Sequence, residues 1–238
     1  MIDLYYAPTP NGWKAAIMLE EIGLEYRLRL MQLSEGEQLK PAFLAISPNA
    51  KIPAIVDHAP GPDWDSTPVS VFESAAVLLY LADKTGQFAP LQTDLRARKE
   101  LMEWLFWQVG NQGPMGGQLS HFRNYAPENK RDYGLSRYAG EYHRNLGVLE
   151  NRLRNRPYLL EDYSIADMLA FPWVFIAKAL GVSLDEFPQV ADWRARIKAR
   201  PAVQRAIELH KSEQNQGRHR VDNNTVLFNQ SADSLRRP

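Results

Sequence analysis

The sequence contains no cysteine among its 238 residues. This absence excludes a disulfide framework, a thiolate metal site, an iron–sulfur cluster and a cysteine nucleophile. Any redox chemistry at sulfur must therefore use the thiol of another molecule. The chain also lacks an excess of either charge, with 28 Lys and Arg residues against 28 Asp and Glu residues. Proteins that bind nucleic acid by neutralising phosphates carry a basic excess, so no nucleic-acid partner is expected.

Long apolar runs are also missing. The longest run, residues 168–177, has about half the length of a membrane-spanning helix, and Pro172 interrupts it. The amino terminus carries Asp3 and lacks the basic stretch and apolar core of a secretory signal. The five histidines show no metal-ligand spacing, so no metal site is expected. We therefore predict a cytoplasmic protein without a membrane partner.

The first third of the sequence alternates between strand and helix patterns. Residues 2–6 form an apolar and aromatic run that is typical of a buried strand. Helical spacing follows over residues 15–22, with Asn11 as the predicted N-cap and Gly23 as the predicted end. Apolar residues alternate with polar ones over 24–30, which predicts a half-buried strand. Strand, helix and strand in such close succession imply a parallel crossover.

A second group of elements completes this region. A short helix is predicted over 41–45, and two strand-like runs, 52–56 and 69–72, enclose a loop rich in Pro, Gly and Asp. This pair predicts an antiparallel hairpin. An apolar helix is predicted over 74–83, so the order of elements is βαβ, a connecting helix, then ββα.

The remainder of the chain has helical patterns. We predict a first domain over 1–84, a linker over 85–94, an all-helical domain over 95–211 and a polar tail over 212–238. Ser164 and Asp167 are spaced as a capping box before an apolar helix. Pro188 and Pro201 are placed as first residues of helices. Within the mostly polar tail, the apolar residues 226–228 are suited to dock on the body of the protein.

A turn between the first strand and the first helix is the first candidate for chemistry. The stretch APTPNGWK, residues 7–14, puts the Thr9 hydroxyl and the Asn11 amide where a helix begins. Unpaired backbone N–H groups and the positive end of the helix dipole stabilise a thiolate or carboxylate there. On this motif alone, ordinary N-capping is the favoured interpretation.

The second candidate is SPNAKIPAIVD, residues 47–57, with Pro53 at the start of a predicted strand. A cis bond before Pro53 would turn the main chain of Ile52 outward, where its N–H and C=O can pair with an extended peptide. By frequency alone an ordinary trans proline is favoured.

The third candidate is FES, residues 72–74, at the junction of a strand and a helix. Glu73 can hold an ammonium group, and the hydroxyl and N–H of Ser74 can hold a carboxylate. Together they match the head group of an amino acid. Taken singly, Ser74 is more often a helix cap.

In combination these motifs resemble the cytosolic glutathione transferase family over roughly residues 1–210. The runs YYAPTPNGWK, ISPNAKIPAIVD, FESAAVLLYLADKTG, WLFWQVGNQGPMGGQ and YSIADMLAFPW are closer still to its bacterial nu-class branch, and similar to the yeast nitrogen regulator that shares this fold. The resemblance implies an α/β thioredoxin-like domain, βαβαββα, followed by an all-α helical domain. It also implies a homodimer and the capping-box role of Ser164 and Asp167.

The resemblance further implies a glutathione site and the role of each residue in it. Thr9 and Asn11 are implied to be catalytic beside the glutathione sulfur, as hydrogen-bond donors, because neither titrates near neutrality. The remaining residues are implied to contact the rest of the tripeptide: Gln38 and Lys51 at the glycyl end, Ile52 beside a cis Pro53 at the cysteinyl main chain, Glu73 and Ser74 at the γ-glutamyl head, and Arg137 from the neighbouring subunit. Tyr5 and Tyr6 lie within the strand and are assigned to packing.

The sequence is compatible with three functions. The first is glutathione-dependent reduction of disulfides, with reduced or oxidised glutathione as co-substrate and no metal. The second is conjugation of glutathione to small electrophiles, and the third is a non-catalytic glutathione-binding regulatory module. The Gly-rich and aromatic stretch 104–122 predicts a break in a helix, which either lines a pocket for the second substrate or is a kink in the core. The physiological disulfide or electrophile is not identified by the sequence.

Overall fold

A four-stranded mixed sheet organises the amino-terminal part of the chain. The computed structural model describes residues 1–62, 64–214, 224–228 and 230–235. Strands β1 (Ile2–Tyr6), β2 (Tyr26–Leu30), β3 (Ala54–Asp57) and β4 (Val69–Phe72) lie in the order β2-β1-β3-β4. β1 is parallel to β2 and antiparallel to β3, and β3 is antiparallel to β4. The predicted parallel crossover and antiparallel hairpin are confirmed.

Helices make up most of the rest of the described chain. In chain order they are α1 (Pro10–Ile22), α2 (Pro41–Leu44), α3 (Ser74–Thr85), α4 (Leu95–Trp107), α5 (Gly113–Asn124), α6 (Glu128–Leu153), α7 (Ile165–Phe175), α8 (Pro188–Lys198), α9 (Pro201–Gln214) and α10 (Asn224–Phe228). None of the helices in the described part combines the length and the apolar character needed to cross a bilayer.

Contacts group the chain into two compact units, one with the sheet and one entirely helical. The sheet unit comprises the described residues of 1–85 together with those from Pro201 onward, and the helical unit comprises residues 86–200. Between Thr85 and Leu95 the chain has neither helix nor strand. The domain limits predicted from the sequence remain predictions.

The core of the sheet unit follows the hydrophobic pattern of the sequence. β1 is buried throughout except for the half-buried Tyr5, whereas β2 alternates between half-buried apolar residues and exposed arginines. Residues 24 and 25 belong to the predicted second strand but precede β2. α1 packs against α3 and α9, and Arg205 Nε lies 2.6 Å from Glu20 Oε2 to link α9 with α1.

The start of α1 differs from the prediction, because Thr9 rather than Asn11 is the N-cap. Thr9 has an extended backbone, and its Oγ1 accepts a hydrogen bond from Gly12 N at 3.2 Å. Pro10 occupies the first helical position, where its missing N–H costs nothing. Asn11 therefore lies inside the first turn. Gly23 ends the helix in a left-handed conformation, as predicted.

The helical unit contains a π-helical turn and the predicted capping box. α4 ends at Trp107, the π-helical turn spans Gln108–Gln112, and α5 starts at Gly113, so the stretch 104–122 changes its helical hydrogen-bond pattern without the predicted break. A capping box with both of its hydrogen bonds joins Ser164 to Asp167 at the start of α7.

The predicted tail over 212–238 lies partly outside the described residues. Within the described part, α10 packs against a 3₁₀ turn at Leu33–Glu35. Val226 Cγ1 lies 3.4 Å from the position that a Cβ would take at Gly36. Gly36 itself has a φ of 77°, a conformation that favours glycine.

Candidate functional site

The junction of β1 and α1 presents hydrogen-bond donors at the start of a helix. The Thr9 oxygen is occupied by the N–H of Gly12, and no described group accepts the Thr9 hydroxyl proton. A Cβ at Gly12 would overlap the carbonyl oxygen of Ala7, so the turn can be this tight only with glycine. Asn11 is half-buried in the first turn. The positive end of the α1 dipole and these donors favour an anion such as a thiolate.

A second group of polar residues gathers at the start of α3. Glu73 is exposed and adopts a φ of 68°, and Asn49 Nδ2 donates to its Oε1 at 3.1 Å. The next residue, Ser74, is buried and accepts a hydrogen bond from Lys14 Nζ at 3.4 Å. Non-glycine residues with positive φ are uncommon and concentrate at functional sites. The conformation of Glu73 therefore supports a binding role for this corner.

Lys14 brings a buried positive charge to this corner. Its side chain belongs to the apolar face of α1 and is only 2% exposed. Burial lowers the pKa of Lys14 to about 7, and the negative charge of Glu73 acts in the opposite direction. The sequence analysis missed both Lys14 and Asn49. The available signal for Lys14 was a lysine directly before the apolar stripe of the first helix.

The main chain before β3 is available for pairing. The Ile52–Pro53 peptide bond is cis, as the resemblance implied. Neither the N–H nor the C=O of Ile52 forms a hydrogen bond among the described residues. Ser47 Oγ donates to Lys51 O at 2.9 Å, which supports the loop, and the Lys51 side chain is exposed.

Gln38 and Arg137 are placed differently from the rest. Gln38 is buried, its Nε2 donates to Leu33 O at 3.1 Å, and its buried Oε1 has no partner in the described part of the chain. Arg137 belongs to α6 in the helical unit, is about half exposed, and donates to Glu141 Oε1 at 2.7 Å. The structure thus places Lys14 on Ser74 and Asn49 on Glu73, and shows no hydrogen bond of Gln38 to these four residues among the described side chains.

The two tyrosines of β1 are packing residues. Tyr6 is fully buried, and burial raises the pKa of its hydroxyl. The Tyr5 ring centroid lies 5.5 Å from that of Phe43, and burial raises its pKa as well. Neither phenol is prepared to ionise at neutral pH. No cluster of three or more potential ligand side chains that could hold a metal ion occurs among the described residues.

Family models match both parts of the chain. The glutathione S-transferase N-terminal domain matches residues 9–84, and the glutathione S-transferase C-terminal domain matches residues 126–201. The chain is 50% identical over 208 residues to the disulfide-bond oxidoreductase YfcG of Escherichia coli, which covers 87% of this chain and 94% of that protein.

Solved structures agree with these matches. One is a glutathione transferase from Burkholderia graminis with two glutathione molecules bound per subunit, at 46% identity and a TM-score of 0.81 over 87% of each chain. Another is a glutathione transferase from Pseudomonas putida with one glutathione disulfide bound per subunit, at 40% identity and a TM-score of 0.78 over 87% of this chain and 91% of that one. With both family domains matched and one relative half identical over nearly its whole length, this chain belongs to the glutathione S-transferase family.

Proposed function

We propose that the protein reduces disulfides with glutathione, using the thiolate of the bound tripeptide as its nucleophile. The observation that carries the proposal is the Thr9-capped start of α1 in a chain without cysteine. The positive end of a helix dipole and nearby hydrogen-bond donors stabilise a thiolate, and the protein has no thiol of its own to place there. The relative that is half identical to this chain is a disulfide-bond oxidoreductase, which supports the same reaction.

The chemistry consists of two thiol–disulfide exchanges. A free thiol has a pKa of about 8.5, so lowering it raises the thiolate fraction at neutral pH. The glutathione thiolate attacks one sulfur of the substrate disulfide, a mixed disulfide forms, and the other sulfur leaves as a thiolate that takes up a proton. A second glutathione thiolate attacks the mixed disulfide and releases the second thiol together with glutathione disulfide. Two glutathione molecules are thereby oxidised for each disulfide reduced.

Thr9 and Asn11 act in this scheme on the glutathione sulfur. The Thr9 oxygen accepts from Gly12 N, and its hydroxyl proton has no acceptor among the described residues, so it is available to donate to the sulfur. Hydrogen bonds to a charged acceptor are stronger than those to a neutral one, so these donors favour the thiolate over the thiol. Neither side chain transfers a proton. The loss of either should slow the exchange more than it weakens binding.

The remaining residues hold the tripeptide. Glu73 binds the α-ammonium group of the γ-glutamyl head, and Ser74 binds its α-carboxylate through its hydroxyl and N–H. The main chain of Ile52 pairs with the cysteinyl residue beside Pro53, for which its unpaired N–H and C=O are suited. Gln38 and Lys51 face the glycyl end, where Lys51 supplies the exposed cation.

The protein acts as a cytoplasmic homodimer in this proposal. Arg137 reaches the glutathione of the neighbouring subunit, and the exposure of its side chain supports such a role. The second substrate is a small disulfide, with small electrophiles as the alternative. A monomer in sedimentation at micromolar concentration would contradict the role of Arg137.

The test measures two reactions side by side. Glutathione-dependent reduction of hydroxyethyl disulfide is compared with conjugation of chlorodinitrobenzene, for the wild type, Asn11→Ala and the control Asn129→Ala. Asn129 is exposed near the start of α6 in the helical unit. We expect the wild type and Asn129→Ala to reduce the disulfide fast and to conjugate slowly. Asn11→Ala should reduce the disulfide more slowly than both.

Two other outcomes would redirect the assignment. Background reduction with fast conjugation would show a conjugating transferase. Background rates in both reactions, with glutathione binding seen by calorimetry, would show a binding module. The choice of substrates thus separates all three functions considered.

A further inference from the structure

The buried lysine of α1 fixes the direction of the hydrogen bond that it shares with Ser74. In its ammonium form Lys14 has only donors, so the Ser74 oxygen is then the acceptor in the 3.4 Å contact with Lys14 Nζ. The hydroxyl proton of Ser74 has no acceptor among the described residues. It therefore remains available to donate to a ligand. A hydroxyl that accepts from a cation is also polarised into a stronger donor.

Burying a lysine is costly in free energy, and the place of its amino group indicates which interaction accompanies that cost. Lys14 is 2% exposed within the apolar face of α1, where an apolar side chain of similar length would fill the same space. Its amino group instead lies under the start of α3. Burial lowers the pKa of Lys14 to about 7, so the charged form gains from any anion that binds nearby. A ligand carboxylate at Ser74 is such an anion.

We propose that Lys14 is a positioning residue that holds the Ser74 hydroxyl as a donor and makes the site select ligands with an α-carboxylate. This inference rests on the proposed glutathione site and assigns the origin of its selectivity for the γ-glutamyl head. Lys14 acts through Ser74 and through its charge.

Opposite charges at the start of α3 match the two charges of an amino acid. The exposed Glu73 carboxylate faces solvent beside the buried Ser74, and the backbone carbonyl of Glu73 accepts the N–H of Val77 at 2.9 Å. Glu73 therefore begins the helix and presents a negative side chain, while the buried Lys14 supplies a positive charge at Ser74. A ligand whose acyl group carries only one of these two charges should lose the contacts that the other charge would make.

The test compares two ligands that differ only in the α-carboxylate. Calorimetry gives the dissociation constants of glutathione and of 4-aminobutanoyl-cysteinylglycine, which lacks that group. The wild type should prefer glutathione. In Lys14→Met this preference should fall by about 10-fold or more, because a charge-assisted hydrogen bond is lost, and the affinity for the analogue should change little.

Two further variants separate the proposed role from packing. Met18→Leu changes a fully buried residue one turn along α1 and should leave the preference unchanged. Ser74→Ala should also reduce the preference, and adding Lys14→Met to it should reduce the preference by less than Lys14→Met does alone, since the two residues share one hydrogen bond. A fall in Lys14→Met of both affinities by the same factor would show a structural role and overturn the proposal.

A measurement on the wild type covers the case in which Lys14→Met does not fold. The ¹⁵N resonance of the Lys14 amino group should shift on binding of glutathione and stay in place on binding of the analogue. Equal shifts with both ligands would overturn the proposal. Failure of the wild type to bind glutathione at all would instead overturn the proposed function, so the two failures are distinguishable.

Discussion

Trp193 donates its indole N–H to the carboxylate of Asp167 over 2.8 Å, and both side chains are fully buried in the helical unit. The same carboxylate accepts from the N–H of Leu159 at 3.0 Å and from the N–H and hydroxyl of Ser164. All four of these groups are donors, so both carboxylate oxygens of Asp167 must act as acceptors. The capping box predicted from sequence thus also joins α8 and the loop before α7 to the start of α7.

We expect Asp167→Asn to lower the free energy of unfolding by at least about 2 kcal/mol, because the new amide donor would face backbone and indole donors. Urea denaturation followed by circular dichroism measures this change. Asp162→Asn is the matched control, since Asp162 is exposed nearby and its replacement should change stability by less than about 0.5 kcal/mol. Similar losses in the two variants would show that the Asp167 hydrogen bonds contribute little.

Asp167 should also make stability depend on pH. Burial raises the pKa of Asp167 from 3.8 to about 6, although the hydrogen bonds to its ionised form oppose the shift. The folded state therefore holds this proton more tightly than the unfolded state. The contribution of Asp167 is largest below about pH 4 and is lost as the pH rises through about 6. The stability of the wild type relative to Asp167→Asn should decline from pH 4.5 to pH 7, and a rise over this range would contradict the assignment.

The ion pair at the end of β3 should matter far more than one on the surface. Lys84 Nζ lies 2.6 Å from Asp57 Oδ2, and the Asp57 side chain is 1% exposed. Burial raises the pKa of Asp57, but hydrogen bonds from Lys84, the Ala59 N–H and Tyr80 outweigh it, so the net pKa is lowered. Lys84→Met should cost about 3 kcal/mol because it leaves a buried charge partly uncompensated.

The matched control for that prediction is Lys99→Met. Lys99 Nζ lies 2.7 Å from Glu103 Oε1, but both side chains are more than half exposed. Exposed pairs contribute less than about 1 kcal/mol. Chemical denaturation of both variants at neutral pH compares them, and equal losses would contradict the role given to burial.

Two glycines should respond in opposite directions to the same substitution. Gly12→Ala would place a Cβ against the carbonyl oxygen of Ala7 and so disrupt the turn before α1. Gly140→Ala, at an exposed position in α6 with open space around it, should stabilise the protein by about 0.5–1 kcal/mol. Thermal melting of both variants measures the effects. Gly12→Ala should also lose glutathione-dependent activity, and full retention of that activity would contradict the tight turn.

The sequence predicted those elements whose pattern is strong and local. The apolar run of residues 2–6 coincides with β1, and Pro188 and Pro201 each begin a helix because their fixed φ suits the first turn. The cap of α1 was misplaced because Thr9 and Asn11 are both good capping residues on either side of Pro10. Only the hydrogen bond to Gly12 decides between them.

The candidate site was predicted as a set of motifs, but not as a connected arrangement. Lys14 escaped notice because lysine is rarely buried, so its residue type predicts exposure. Its partner Ser74 is 60 positions away, and no local pattern relates two residues at that separation. The folded sheet unit brings α1 against α3 and thereby creates the contact.

The packing of α9 on α1 means that the sheet unit is discontinuous along the chain. During synthesis, residues 1–85 leave the ribosome before the helical unit does, and α9 follows only after residue 200. At a synthesis rate of about 5–20 residues per second, the interval between the emergence of α1 and that of α9 is on the order of ten seconds. The nascent sheet unit therefore exposes, during that interval, the surface of α1 that α9 later covers.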